Sequence, residues 1–290
     1  MSTSSTPDEL LIRPMSRSEL DILTSWAANE GWNPGLYDAD IFWNTDPDGY
    51  IAAEIDGELI GGGSIVSYQG EFGFMGFFIV KPEYRGLGLG TKLWFARREK
   101  LQSRLNSPAC IGMDGVFEMQ PFYTRGGFKF SHREIRFEGT GAPCAAPSSV
   151  IPLSGVPFSS LLNYDTSHFP TARPAFLKAW IAQPDSRALG VMDGEQLCGY
   201  GVIRRCKNGF KIGPLFADNA GIALELFTGL SDHAAGEPVF IDVPEINDSA
   251  MQLVSNKGMK EVFGCARMYF GSKPALPDAQ IYGVTTFELG

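Results

Sequence analysis

Apolar positions in this chain change period several times, from strand-like runs to helix-like spacing and back. Residues 11–15 read as a short strand, and residues 18–27 carry a helical pattern with Ser16 or Ser18 as its N-cap. Residues 50–55 and 58–61 flank Asp56-Gly57, a dipeptide that accepts the positive φ of a two-residue hairpin turn. Residues 64–68 and 72–77 continue the sheet. A further apolar run, Phe77-Phe78-Ile79-Val80, then reaches Lys81-Pro82 and passes through Gly86, Gly88 and Gly90 into a helical pattern over 92–98. Residues 109–113 predict a buried strand and residues 119–124 a helix. Gly126-Gly127 stops that helix ahead of a strand at 128–130.

A stretch rich in Gly, Ala, Pro and Ser (139–149) reads as a linker, and beyond it the first pattern recurs. Asp193-Gly194-Glu195 mirrors Asp56-Gly57-Glu58, and Gly199-Tyr200-Gly201-Val202-Ile203 echoes Gly61-Gly62-Gly63-Ser64-Ile65. Residues 238–244 form a buried strand in the place of the one at Cys110. A helix beginning at Asn247 then ends in Gly258-Met259. The expected organisation is a first domain over 8–139, a linker over 140–149 and a second domain over 150–290. The fold class is α/β (α+β): two tandem folds with mixed, mostly antiparallel sheets flanked by helices.

Composition narrows the function. With 290 residues, 44% of them hydrophobic and 20% charged, the chain suits two soluble globular units. A formal net charge of −9 argues against a nucleic-acid partner, which needs a basic face. No apolar run reaches membrane-spanning length. Residues 1–7 lack the apolar core of a signal peptide and read as a disordered lead-in. The five cysteines are scattered, as expected of reduced thiols in a cytoplasm. The three histidines stand apart from any metal-type cluster, so no metal is expected.

The strand–glycine–helix turn carries the chemistry. It presents bare backbone N–H groups at the positive end of a helix dipole, an arrangement that binds phosphate, and Arg85 adds a cation at its mouth. The spacing excludes both common nucleotide fingerprints. Neither Gly86 nor Gly88 opens a Gly-x-Gly-x-x-Gly run, and Gly90 is followed by Thr91-Lys92 where a P-loop needs lysine first. What remains is Val80-x-Pro82-x-x-Arg85-x-x-Gly88-x-Gly90, which closely resembles the acetyl-CoA-binding motif of the GCN5-related N-acetyltransferases (GNAT). The predicted element order matches that fold. The two halves together resemble a tandem GNAT family whose C-terminal domain is degenerate, since residues 214–221 keep neither the arginine nor the alternating glycines.

The resemblance implies a site. Acetyl-CoA would be held by the strand Phe78, Ile79 and Val80 and by the loop Arg85, Gly86, Leu87, Gly88, Leu89, Gly90 and Thr91. Tyr123, in register with Gly127-Phe128, would protonate the departing thiolate or fix its sulfur, and a neutral phenol suits that role. The alternative is a tyrosine that packs a helix end. The asparagine that usually opens this helix is missing from Val116-Phe117-Glu118-Met119-Gln120. Glu30, Asp114 and Glu118 are candidate bases, with solvated or structural carboxylates as the alternative reading and a water chain as a substitute. Asn29, Glu30, Trp32 and Asn33 are expected to bind the acceptor, unless the tryptophans here plug the core. Asp165, His168 and Arg173 lie close together, as a second acceptor contact or as an ordinary Asp–Arg pair.

The function expected is transfer of an acetyl group to a primary amine of a small molecule. The alternatives are a protein or peptide acceptor, a longer acyl chain, or a non-catalytic acetyl-CoA sensor. A monomer or homodimer in the cytoplasm, with neither nucleic acid nor membrane as partner, completes the expectation.

Overall fold

The structure, a computed structural model, describes residues 9–144 and 147–290; the expected lead-in at 1–7, and Ala145 and Ala146 of the expected linker, lie outside the described residues. The first half runs β1 (Leu11–Pro14), α1 (Arg17–Asn29), α2 (Asp38–Thr45), β2 (Tyr50–Ile55), β3 (Glu58–Ser64), β4 (Val66–Tyr68), β5 (Phe72–Phe74) and β6 (Ile79–Val80). It continues through α3 (Leu89–Gln102), β7 (Cys110–Val116), α4 (Gln120–Arg125) and β8 (Lys129–Thr140). Ser16 rather than Ser18 caps α1, in a capping box with Glu19. The hairpin at Asp56-Gly57 joins β2 to β3, with both turn residues at positive φ. Strand β8 is longer than predicted and carries Gly139 and Thr140 inside the sheet, opposite Val239 and Pro238.

The second half comprises β9 (Val150–Pro152), α5 (Phe158–His168), α6 (Pro174–Ile181), β10 (Ser186–Asp193), β11 (Gln196–Arg205) and β12 (Phe210–Ala217). There follow α7 (Ala220–Asp232), β13 (Pro238–Pro244), α8 (Asp248–Asn256), β14 (Lys260–Phe270) and β15 (Ile281–Gly283). Strands β1-β2-β3-β6 form one sheet. The other runs β4-β5-β7-β14-β8-β13-β12-β11-β10-β9, with β15 on β12.

The order of that long sheet shows that the halves exchange their last long strands. β14, from the second half, pairs antiparallel with β7 of the first. β8, from the first half, pairs antiparallel with β13 of the second. The two exchanged strands also pair with each other and so fuse the halves. An apolar core crosses the junction, where Phe42 of α2 stacks on Trp180 of α6 at 6.2 Å. Buried ion pairs cross it as well: Arg136–Asp242 at 2.6 Å and Arg204–Asp38 at 2.9 Å.

Candidate functional site

Hydrogen bonding between two neighbouring strands stops at one point, and the site opens there. β5 and β7 are paired in parallel through Gly112, and the last bond runs from Met75 N–H to the Gly112 carbonyl at 3.0 Å. The chain then turns at Gly76, whose N–H donates to Ser64 Oγ at 2.8 Å, and at Phe77, held at φ +50°. A positive φ on an aromatic residue is costly, so packing around Phe77 fixes this turn. β6 rejoins the other sheet against β3, and its far edge has no partner among the described strands. Between β6 and β7 lies a cavity of about 640 Å³.

One wall is the strand and loop expected to hold a phosphate-bearing ligand. Phe78, Ile79, Val80, Arg85, Gly86, Gly88, Gly90 and Thr91 all line the cavity, whereas Leu87 and Leu89 do not; Leu87 points to solvent, 67% exposed. Gly86 and Gly88 sit at φ +78° and +79°, and a Cβ on either would meet nothing, so the backbone conformation alone demands glycine there. Gly90 differs. Its φ is ordinary and an added Cβ would make only van der Waals contact with Val80 and Phe78 at 3.5 and 3.6 Å. Gly88 is the N-cap of α3 and offers no side-chain acceptor, which leaves the first-turn N–H groups of α3 uncapped. Arg85 donates through Nε to the Val80 carbonyl at 2.7 Å and through Nη2 to the carboxylate of Glu30.

Tyr123 forms the floor. It is buried beneath Trp94, with ring centroids 6.1 Å apart, and its ring occupies the space a side chain on Gly115 would need. Gly127 ends α4 at φ +92°, while Gly126 is required because Trp94 fills its Cβ position. The Tyr123 hydroxyl makes no hydrogen bond to another described residue. Burial pushes its pKa up to about 12, against the pull of Arg97, so the phenol is a neutral donor at physiological pH. Arg97 itself is fully buried and gives Nη2 to the carbonyls of Ser64 and Gly76, both at 2.6 Å. No carboxylate among the described residues pairs with it, and burial lowers its pKa to about 9.

The expected acceptor residues divide. Glu30 and Trp32 line the cavity. Asn29 does not; it is the exposed last residue of α1. Asn33 is turned away and exchanges two hydrogen bonds of 2.8 Å with the backbone of Asn208, so its amide joins the halves instead of facing the cavity. Of the candidate bases, Glu118 is outside the cavity and Glu30 is paired with Arg85. Asp114 lines the cavity. Burial lifts its pKa to about 7, opposed by Arg267, which binds both its carboxylate oxygens at 2.6 and 2.7 Å. Asp165 and Arg173 form a buried pair in the second half with Tyr200 and Thr285, away from the cavity, and His168 packs against Phe216.

The remaining wall comes from the second half: Phe263 and Cys265 of β14, and Phe287 and Glu288 of the C-terminal segment. Nothing local in the sequence marks these residues. Phe263 and Cys265 reach the cavity because β14 pairs with β7, and Phe287 and Glu288 because the C-terminal segment packs against Ser64 and Gly76.

At the equivalent turn of the second half the helix start is closed. Asn219 Oδ1 accepts from the N–H groups of Gly221 and Ile222 at 3.0 and 3.1 Å, and Asp218 accepts from Tyr164.

Comparison with known proteins agrees with this duplicated fold. An acetyltransferase (GNAT) family model matches residues 17–128, and an acetyltransferase (GNAT) domain model matches residues 161–283. The chain therefore belongs to the GCN5-related N-acetyltransferases, as an enzyme with two such domains in tandem. It is 28% identical to a holothin acyltransferase of Pseudoalteromonas sp. (strain SANK 73390), covering 96% of this chain and 94% of that one. Among solved structures, an acetyltransferase-type protein from Pyrococcus horikoshii shares the fold with a TM-score of 0.84, at 22% identity, over 100% of this chain and 99% of that one. A tandem GNAT protein from the clavulanic acid biosynthesis pathway superposes with a TM-score of 0.61 at 14% identity, over 92% of this chain and 100% of the other. Among the described residues, no helix is long and apolar enough to cross a membrane.

Proposed function

We propose that the chain transfers an acetyl group from acetyl-CoA to the primary amine of a small molecule, in the cleft between β6 and β7. The observation that carries this reading is the contrast between the two helix starts. The first turn of α3 is uncapped beside Arg85, whereas Asn219 seals the start of α7. Gly90 supports it, since neither φ nor crowding by protein asks for glycine there, while close approach of a pyrophosphate would. The sequence-level units, 8–139 and 150–290 around a linker at 140–149, then divide as a donor-binding half and a half without a donor site.

Acetyl-CoA, when bound, supplies an acyl group activated as a thioester. The protein does the rest. The first-turn N–H groups of α3 and Arg85 hold the pyrophosphate. The unpaired edge of β6 offers backbone groups to the pantetheine arm and the carbonyl, where fixed donors stabilise developing negative charge. Tyr123 holds a proton at its hydroxyl, in a buried position from which it can be given to a leaving thiolate. A small acceptor suits a cavity of about 640 Å³ lined in part by Trp32, Phe263 and Phe287. The test is an amine-panel assay that follows release of free CoA thiol. Turnover with at least one small amine is expected. CoA binding without acylation of any amine in the panel would replace the enzyme reading with that of an acetyl-CoA sensor.

A further inference from the structure

Three carboxylates line the cavity: Glu30, Asp114 and, from the far end of the chain, Glu288. Two of them are committed, Glu30 to Arg85 and both oxygens of Asp114 to Arg267. Glu288 is only half committed. It is buried at 3% exposure, its Oε2 accepts from the Thr286 hydroxyl, and its Oε1 makes no hydrogen bond to any described residue.

Its segment is tied to the donor strand. Ser64 Oγ donates to the Glu288 carbonyl at 3.3 Å and accepts from Gly76 N–H at 2.8 Å, and Gly76 leads into Phe77 and Phe78. The Glu288 backbone fills the space a side chain on Gly76 would need. Phe263 and Phe287, 6.2 Å apart, stand beside it in the lining. Charged groups reach it from every side. Arg136 of β8 and Arg204 of β11 both feel its charge, but each is already paired, with Asp242 and Asp38. Lys211 of β12, which donates to the Trp32 carbonyl at 3.4 Å, and Cys265 of β14 feel it too, and Arg97 of α3 and Asp114 of β7 line the same cavity.

The geometry points to Glu288 as the group that binds the acceptor's ammonium and takes its proton, with the acceptor an aromatic or similarly apolar primary amine. The half without a donor site thereby supplies a catalytic residue to the other half. This rests on the transfer reading above. The proton balance closes: R–NH3+ gives H+ to the Glu288 carboxylate, the free amine nitrogen bonds to the acyl carbon, and the C–S bond breaks with its electrons on sulfur. Tyr123 protonates that sulfur and is reprotonated from solvent, while the proton on Glu288 and the one left on the new amide nitrogen both go to solvent. The products are the amide, CoA thiol and one released proton.

The test uses the full chain saturated with CoA, titrated calorimetrically with phenethylammonium and with neutral 2-phenylethanol. The wild type should favour the cation by about tenfold or more, the scale of a hydrogen bond to a charged group. Glu288→Gln should erase that preference while CoA affinity stays unchanged. In turnover with phenethylamine it should lower kcat/KM by about a hundredfold, the lower end of general-base contributions. If Glu288→Gln does not fold, Glu288→Asp carries the same comparison, and it must weaken the cation without weakening the alcohol. A wild type with no preference for the cation, or a variant with the preference intact, overturns the assignment. A wild type that fails to bind CoA overturns the transfer reading itself, and this assignment with it.

Discussion

Arg85 and Glu30, both in the cavity lining, form an ion pair between the glycine loop and the end of the first helix. The arginine proposed to meet a pyrophosphate is thus already occupied by a carboxylate. The pair is substantially exposed, so its own strength is small, and its consequence is competition. Glu30→Gln removes the competing anion and is expected to tighten CoA binding by about two- to fivefold, read by calorimetry, since exposed pairs are worth up to about 1 kcal/mol. Arg85→Glu is expected to abolish binding. Unchanged affinity in both variants would move the phosphate site elsewhere.

Tyr123→Phe keeps the ring that fills the space beside Gly115 and removes only the hydroxyl. CoA affinity is therefore expected to stay within about twofold, while kcat falls by about a hundredfold, the scale of a positioned acid. The sign of the pH effect follows from the raised pKa. The donor is the protonated phenol, which persists up to about pH 12, so Tyr123 imposes no loss of kcat at the alkalinity where an ordinary tyrosine ionises. A wild-type kcat that falls with an apparent pKa near about 10, and keeps that fall in no Tyr123→Phe sample, would contradict this.

Much of the wall proposed for the donor was legible in the sequence because it is local. A strand, a proline, an arginine and glycines at fixed spacing are consecutive, and Gly86 and Gly88 adopt the backbone for which glycine is needed. The Tyr123 register was legible for the same reason. The opposite wall was not. Phe263, Cys265, Phe287 and Glu288 are distant in sequence; the strand exchange brings the first two to the cavity, and the packing of the C-terminal segment on Ser64 and Gly76 brings the others. Asn33 misled because a polar residue beside Trp32 reads equally well as a ligand contact or as a clamp, and the carbonyl that decides it belongs to Asn208.

Lys211 makes a pH signature of stability. It is fully buried, its amine donates to the Trp32 carbonyl, and burial together with Arg136 lowers its pKa below 10.5. Between the lowered folded value and 10.5 the unfolded chain holds more protons than the folded one, so stability from this group rises with pH across that window. Relative to Lys211→Met, the wild type should gain stability in urea titrations as pH rises through the window that ends at 10.5. A pH-independent difference between the two would rule this out.

Arg136 and Asp242 test whether the exchanged strands bind the halves into one unit. Arg136 lies on β8 and Asp242 on β13, and the guanidinium holds both carboxylate oxygens at 2.6 and 2.8 Å. Burial works to raise the pKa of Asp242, and Arg136 overrides it and holds the carboxyl below its usual range. Asp242→Asn leaves a buried guanidinium without its counter-charge, a change that costs about 3–5 kcal/mol where such pairs are broken. Because β8 and β14 pair along most of their length, the loss should be felt in both halves together. Unfolding followed at Trp94 in the first half and at Trp180 in the second is expected to show coincident transitions, shifted equally by Asp242→Asn. Two separated transitions, with only the one reported by Trp180 shifted, would mean that the halves fold independently despite the shared sheet.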